Sequence, residues 1–414
     1  MSAAAREFLA MALAFCYLIF APQGRLWKGF TLLITGLIMG VCAGLEPAVL
    51  RQNMKIIFTV PSTMKTIAVI VQIGILSGLM KHYEILSGLS RGFERIFSSA
   101  KAVIMILPAA VGMVSVPGGA AISSPFVDEM GKKLGLPLNC RASVNLTFRH
   151  IAYFMLPTSS SMIVMTNMAP RLNIYRLILM NFLFIFFMEF TSYCLYLRNT
   201  PPVSSDVRRD CGRGLSEILA YLSPIYTIIL LNAVFRVEMY LSVFLSLMLI
   251  LVCWGRHDAR TYWKVFLDSL KIKTFFLMVG IYYLQNTVRS LPAVMLAFQA
   301  LFEGASGFTV LLAVAGAALF FGLTSGMSFV SLGVLIPLLL GLHLSENMEM
   351  ICCTFVYTWS FIGYFFSPLH LCQVLTLQQM GCSMKSLYRG YIPLMAEMAS
   401  ASFLIFYLYR LLLV

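Results

Sequence analysis

Long apolar stretches recur along the whole chain, and this feature limits the possible folds more than any other. An α-helix needs about 20 apolar residues to cross the hydrocarbon core of a bilayer. Stretches approaching or exceeding this length lie near residues 7–21, 29–50, 66–80, 102–116, 142–168, 173–197, 215–235, 238–254, 273–288, 307–340, 350–378 and 388–412. A signal peptide would account only for a stretch at the N-terminus. We therefore predict an all-α integral protein that crosses a lipid bilayer many times.

The charged residues agree with this prediction. They make up 11% of the chain, whereas soluble domains contain about 25%. The net charge is +13, and most Lys and Arg residues lie in short loops between apolar stretches. Membrane proteins show this pattern because basic loops stay in the cytoplasm. The charge therefore does not predict nucleic-acid binding.

The chain carries no sequence signature of an enzyme. It contains no HExxH, GxSxG or P-loop motif, and no loop is long enough for a nucleotide-binding domain. The ten cysteines include no CxxC pair, and the histidines are scattered along the chain. We expect no enzymatic activity, no metal site and no cofactor.

The two halves of the sequence correspond to each other. Apolar stretches that start at 7, 29, 66, 142 and 173 have counterparts at 215, 238, 273, 350 and 388. A Tyr precedes a Pro by four residues in both halves, at Pro157 and at Pro368. Several matches in the same order indicate a repeat. We predict a first repeat over 1–198, a linker over 199–214 and a second repeat over 215–414.

Each repeat contains an apolar stretch that is broken by glycines. The first stretch, at about 102–127, is interrupted at Pro117-Gly118-Gly119, and the second, at about 307–340, at Gly322 to Gly326. Irregular backbone at membrane depth is tolerated where protein or a water-filled cavity surrounds it. Each stretch is predicted to form a re-entrant helical hairpin; a kinked ordinary helix is the alternative.

The hairpins determine the predicted topology. If each hairpin enters and leaves on one side, each repeat crosses the membrane about five times, and this odd number inverts the second repeat. Basic residues such as Lys132 and Arg141 flank the first hairpin, whereas Glu346 and Glu349 flank the second. The first hairpin and the linker are therefore predicted to face the cytoplasm, and the second hairpin and both termini the outside. The predicted fold is two inverted repeats, each with a re-entrant hairpin and a discontinuous helix, in the cell membrane.

One segment resembles a known family. It runs from Val116-Pro-Gly-Gly-Ala-Ala-Ile-Ser-Ser to Pro125, followed by Asn145-Leu-Thr-Phe-Arg-His150 and by Pro157. This pattern resembles the motif of domain of unknown function family 401, although residues 146–147 and 151–152 depart from it. The family is grouped with the ion transporter superfamily, which includes gluconate, citrate, dicarboxylate and lactate permeases, arsenite exporters and some sodium/proton antiporters. The resemblance implies that hairpin tips and the broken helices after them hold the substrate and the coupling ions.

Candidate substrate-binding residues lie at the two breaks and on the span that follows the first hairpin. A helix break exposes backbone N–H groups at a helix N-terminus, which attracts anions, and nearby hydroxyls add specificity. A membrane serine also often bonds its own helix backbone. The candidates are Pro117, Gly118, Gly119, Ser123, Ser124, Asn145, Arg149, Thr324, Ser325, Gly326 and Ser328.

A second set of residues is predicted to couple or gate transport. Arg149 either contacts the substrate or extends to the cytoplasmic interface, and His150 either titrates during transport or is structural. Glu189 either carries protons or pairs with a basic residue. The coupling or gating candidates are His150, Pro157, Glu189, Tyr364 and Pro368.

The expected function is secondary active transport. Inverted repeats with broken helices are typical of secondary transporters. We expect an elevator-like, alternating-access carrier of a small anion, most simply an organic carboxylate, coupled to Na⁺ or H⁺. A homodimer is compatible with the sequence. The alternatives are a cation/proton antiporter of the same fold and a membrane scaffold protein that transports nothing.

Overall fold

The computed structural model describes residues 2–20, 28–97, 99–113, 120–201, 203, 210–255, 259–270, 272–304 and 307–414. All regular secondary structure in these ranges is helical, and they contain no β-strand. This agrees with the predicted all-α class.

The described residues form eleven helices before the predicted linker and ten after its start. The first eleven are α1 Ala3–Phe20, α2 Lys28–Ala43, α3 Pro47–Thr59, α4 Pro61–His82, α5 Ile85–Ile96, α6 Ala100–Gly112, α7 Ala120–Lys133, α8 Leu138–Arg149, α9 Ile151–Met155, α10 Ser160–Met168 and α11 Ile174–Ser192. A π-helical turn, Tyr193–Leu197, extends α11.

Ten helices follow. They are α12 Cys211–Ala233, α13 Met239–Ile250, α14 Ala259–Ser269, α15 Ile272–Arg289, α16 Pro292–Gly304, α17 Gly307–Ser325, α18 Ser328–Leu340, α19 Glu346–Phe365, α20 Leu371–Met380 and α21 Met384–Leu413. A π-helical turn, Leu251–Gly255, extends α13. Helix α12 begins within the predicted linker, where the Asp210 side chain accepts a hydrogen bond from Arg213 N at 3.0 Å.

Four helical segments in the described ranges are long and apolar enough to cross a membrane. They are Pro61–His82, Ile174–Leu197, Cys211–Ala233 and Met384–Leu413. Shorter apolar helical segments lie at Gly29–Ala43, Ala100–Gly112, Met239–Gly255, Gly307–Leu323 and Ser328–Leu340. This is the composition of a membrane-embedded protein; the number of crossings remains a prediction.

The helices of the two halves occur in the same order. Helix α1 corresponds to α12, and the correspondence continues to α11 and α21, with α8 and α9 together matching the single helix α19. Ala120 and Ser328, which begin α7 and α18, are 208 residues apart. The packing is reciprocal as well: α2 packs on α15 as α13 packs on α4, and α10 packs on α18 as α20 packs on α7.

Two helix pairs occupy the predicted hairpins. Helices α6 and α7 pack against each other and against α8, and α17 and α18 pack against each other and against α19. Both second arms contain a proline, Pro125 in α7 and Pro337 in α18, and both helices continue past it.

Each hairpin is followed by a helix that is interrupted at a proline. Pro157 lies between α9 and α10, and Pro368 lies between α19 and α20. A proline has no N–H to donate and pushes the preceding residue away from the helical conformation, which accounts for both interruptions. These interruptions agree with the predicted discontinuous helices.

The interrupted helices lie in the middle of the protein. Nearly every residue of α19 from Glu349 to Phe365 is buried. Its aromatic side chains pack against α9, where the Phe154 and Phe361 ring centroids are 4.6 Å apart. Tyr357 donates a hydrogen bond to the Tyr153 carbonyl at 2.8 Å. This aromatic packing joins the two halves and holds both helix interruptions close together.

Candidate functional site

A cavity of about 340 Å³ lies between the two interrupted helices and the turn of the second hairpin. We call it the central cavity. Both halves of the chain contribute to its wall, which includes Gly112, Arg149, His150, Ala152, Tyr153, Ser159, Ser160, Ser161, Leu277, Gly326, Met327, Ser328, Phe329, Tyr364, Leu371 and Cys372. Five predicted site residues are among them: Arg149, His150, Gly326, Ser328 and Tyr364.

Arg149 supplies a cation to the wall of the central cavity. It is the last residue of α8, and only 5% of its surface is exposed. Helix α6 approaches closely here, since a Cβ added at Gly112 would lie 2.2 Å from the Arg149 carbonyl oxygen. The sequence leaves two alternatives for Arg149. Its buried position favours the one in which Arg149 faces a cavity over the one in which it extends to the cytoplasmic interface. A buried guanidinium requires such a polar environment or an anionic partner.

Three helices begin at the wall of the central cavity. The residues in contact with it include Ser160 at the start of α10, Ser328 at the start of α18 and Leu371 at the start of α20. The first N–H groups of a helix have no partner within that helix, and the helix dipole makes this end positive. The Ser161 and Ser328 hydroxyls are 2.9 Å apart, which links α10 to α18 beside the cavity.

Gly326 makes the turn between α17 and α18. Its φ is +64°, a conformation that L side chains rarely adopt. A Cβ at this position would lie 2.8 Å from Leu369 Cβ and 2.9 Å from the Leu369 carbonyl carbon. The tip of the hairpin therefore lies directly against the interruption between α19 and α20.

Ser325 stabilises this turn through hydrogen bonds to the backbone. Its hydroxyl donates to the Phe321 carbonyl at 2.5 Å and accepts from Met327 N at 3.1 Å. Its side chain does not line the central cavity. The Ser325 hydroxyl therefore bonds the backbone and stabilises the turn; it does not line the cavity as a substrate-binding group would.

An imidazole pair and a thiol lie beside the central cavity, and two of the three residues, His150 and Cys372, line it. The ring centroids of His150 and His370 are 4.9 Å apart, and the Tyr364 ring lies 4.1 Å from that of His370. Cys372 lies in the first turn of α20, next to this pair. One ligand atom from each of His150, His370 and Cys372 lies within 4.8 Å of the others. The sequence spacing did not predict this cluster.

Three predicted substrate-binding residues lie in a separate, fully buried network. Asn145 Oδ1 accepts a hydrogen bond from Ser123 Oγ at 2.7 Å. Asn145 Nδ2 donates to Ser124 Oγ at 3.0 Å and to Thr376 Oγ1 at 2.9 Å. The structure brings these residues together but not to the central cavity. Their hydrogen bonds join α7, α8 and α20.

Glu189 also lies away from the central cavity. It contacts a second cavity of about 260 Å³ whose other lining residues are apolar, among them Phe93, Met105 and Phe148. Both carboxylate oxygens are buried, and neither has a hydrogen-bond partner among the described residues. One of the two predicted alternatives is an ion pair between Glu189 and a basic residue. No such ion pair is found among the described residues.

Some predicted residues cannot be placed. Pro117, Gly118 and Gly119 lie outside the described residues, as does the side chain of Thr324. Conversely, the prediction missed Ser159, Ser160 and Ser161, which line the central cavity. A serine run directly after Pro157 is a typical helix start, and this signal would have identified α10.

The central cavity has the chemistry of an anion site. Its wall combines a buried guanidinium with three helix N-termini and several hydroxyls. No Asp or Glu is present among the described residues that line it. Positive helix ends and Arg groups both stabilise carboxylates and other oxyanions.

The helical fold and the four long apolar segments are those of a membrane-embedded α-helical protein. The model of the family described as protein of unknown function (DUF401) matches residues 28–409, so the chain belongs to this family. A search of curated proteins found no match. The resemblance seen at residues 116–157 is thereby confirmed over nearly the whole chain.

Proposed function

We propose that the protein is a secondary active transporter of a small anion, most simply an organic carboxylate. The central cavity supports this proposal, because its wall combines the Arg149 guanidinium with positive helix ends and hydroxyls, all of which can bind an anion. In secondary transporters the substrate binds between broken helices in this way. Coupling to Na⁺ or H⁺ and membership of the ion transporter superfamily are parts of the same proposal.

We further propose that the halves are inverted repeats of about five crossings each, with re-entrant hairpins. The identical helix order and the reciprocal packing of α2 on α15 and of α13 on α4 support a repeat. The basic residues after the first hairpin and the acidic residues after the second support opposite orientations.

The packing also supports an elevator-like mechanism. Each hairpin packs on the interrupted helix that follows it, whereas α2, α4, α13 and α15 pack on one another across the halves. The first group would carry the substrate, and the second would remain as a scaffold. Movement of one group against the other gives alternating access to a site held between them.

Uptake by Arg149→Gln in proteoliposomes tests the proposal. A hydrogen bond to a charged group contributes about 1.5 to 3 kcal/mol, so uptake of small carboxylates should fall by roughly 10- to 150-fold. Arg51→Gln is the control, because Arg51 is exposed on α3 and does not line the central cavity. Equal uptake by the parent and by folded Arg149→Gln would refute an anion site at this cavity.

The cation/proton antiporter is the second candidate, and Glu189 favours it. A buried carboxyl without a partner changes its charge only by binding a proton or a cation. Loss of exchange in Glu189→Gln, with full activity in Arg149→Gln, would support the antiporter over the anion carrier. Activity in neither parent nor variants, across carboxylates and cations, would favour the membrane scaffold.

Cysteine labelling tests the inverted topology. Lys132→Cys, at the end of the first hairpin, and Glu346→Cys, after the second, place thiols at exposed positions on a cysteine-free background. An impermeant thiol reagent should label them from opposite sides of the membrane. Labelling of both from one side would rule out the inversion but not the central cavity.

A further inference from the structure

The cluster of His150, His370 and Cys372 has the dimensions of a metal site. One ligand atom of each residue lies within 4.8 Å of the other two. In a tetrahedral site, Zn–N bonds of about 2.0 Å and Zn–S bonds of about 2.3 Å place the ligand atoms roughly 3.3 to 3.5 Å apart, so metal binding would draw these side chains together by up to about 1.5 Å. Two imidazoles and a thiolate are ligands that Zn²⁺ and related soft ions prefer over Na⁺, Mg²⁺ or Ca²⁺.

Both imidazoles are oriented as metal ligands usually are. His150 Nδ1 lies 2.6 Å from the Leu146 carbonyl oxygen, and His370 Nδ1 lies 3.2 Å from the Phe365 carbonyl oxygen. A carbonyl oxygen only accepts, so each Nδ1 carries the proton and each Nε2 keeps its lone pair. Metal-binding histidines almost always donate their second ring N–H to a carbonyl or carboxylate in this way.

The cysteine is also placed for metal binding. Cys372 lines the central cavity together with His150 and Arg149. The thiolate is the form of cysteine that binds metals. His150 and Cys372 both line the central cavity, so a fourth coordination position would face open space.

We propose that His150, His370 and Cys372 bind one soft transition-metal ion of the Zn²⁺ class, with its fourth position open to the central cavity. Three protein ligands and one open position are typical of zinc sites that bind an exogenous ligand. A water molecule occupies the open position when no other ligand is present. An oxygen of the transported anion replaces it during transport, and this last step alone depends on the function proposed above.

Cobalt titration of the purified full-length protein tests the site, because Co²⁺ bound to a thiolate absorbs strongly in the near ultraviolet. The background replaces the exposed cysteines with serine: Cys16, Cys42, Cys211 and Cys253. We expect the absorption to saturate at one Co²⁺ per chain and to disappear when Zn²⁺ is added. Cys372→Ser should remove the absorption and weaken Zn²⁺ binding by at least about tenfold.

Two variants control for damage to the fold. Cys382→Ser removes another buried cysteine outside the cluster and should bind Co²⁺ as the background does. His370→Gln should weaken binding at least about tenfold but keep the thiolate absorption at saturating Co²⁺. If Cys372→Ser does not fold, His370→Gln decides the question, with His343→Gln as its control.

The proposal is overturned if the background binds no stoichiometric Co²⁺, or if folded Cys372→Ser or His370→Gln binds it as tightly as the background. Metal binding is measured without an anion, and carboxylate uptake by the parent is measured with a chelator present. Failure of the metal site is therefore distinguishable from failure of anion transport.

Discussion

Gly326→Ala tests the geometry of the second hairpin tip. The substitution adds one methyl group at a position with φ of +64°, where the structure leaves no room for it. Two separate penalties are expected. One comes from the left-handed backbone, and the other comes from the contact with Leu369.

The two penalties can be separated because another glycine shares only one of them. Gly381 has φ of +69°, but a Cβ there would meet nothing within 4 Å. The left-handed conformation costs a residue with a Cβ about 1 to 2 kcal/mol, so this is the expected cost of Gly381→Ala. At Gly326 the overpacking against Leu369 adds about 1 to 3 kcal/mol. The expected cost of Gly326→Ala is therefore about 2 to 5 kcal/mol.

Thermal unfolding in detergent and uptake in proteoliposomes together provide the readout. The melting temperature should fall further for Gly326→Ala than for Gly381→Ala, and only Gly326→Ala should lose uptake, because its tip moves away from the central cavity. Gly316→Ala, in the middle of α17 with open space around it, should be neutral or stabilising. If Gly326→Ala and Gly381→Ala had equal melting temperatures and parental uptake, the close approach at the tip would be refuted.

Three further substitutions test other parts of the protein. Asn145→Ala should lower the melting temperature, because it removes three buried hydrogen bonds that each contribute about 0.5 to 1.5 kcal/mol, whereas the substrate KM should not change; a raised KM would place Asn145 in the site. Glu189→Gln should keep the melting temperature, since the carboxyl has no hydrogen-bond partner among the described residues, and should make uptake insensitive to an imposed pH gradient; a retained response would exclude Glu189 as the proton carrier. Ser161→Ala should weaken substrate binding more than Ser402→Ala, whose hydroxyl bonds its own helix at Ala399; equal effects would argue against a role for α10 in the site.

The predicted features that agree with the structure are those encoded by neighbouring residues. The sequence predicts a break within the apolar stretch at about 307–340, and α17 ends at Ser325 and α18 begins at Ser328. Glycines at the tip and the apolar arms beside it are local signals. Pro157 and Pro368 likewise mark helix interruptions through the chemistry of their own rings.

The arrangement of side chains around the cavity was not predictable in the same way. His150 and Cys372 are far apart in sequence, and only the packing of α20 brings them together. Asn145 and Arg149 are both predicted to bind the substrate. Helix α8 ends at Arg149, however, and Asn145 turns instead towards Thr376 on α20. Which side chains face the cavity depends on tertiary contacts, and a local sequence pattern does not reveal them.

The buried network around Asn145 bears on how many substrates one chain handles. It lies between α7 and α20, the pair that corresponds to α18 and α10 beside the central cavity. A duplicated ancestor with two identical halves would have had two equal sites. In the present chain, hydrogen-bonded side chains fill one of them, and Arg149 has Tyr357 rather than a second arginine as its counterpart 208 residues later. For the proposed carrier we therefore predict one substrate site per chain, at the central cavity.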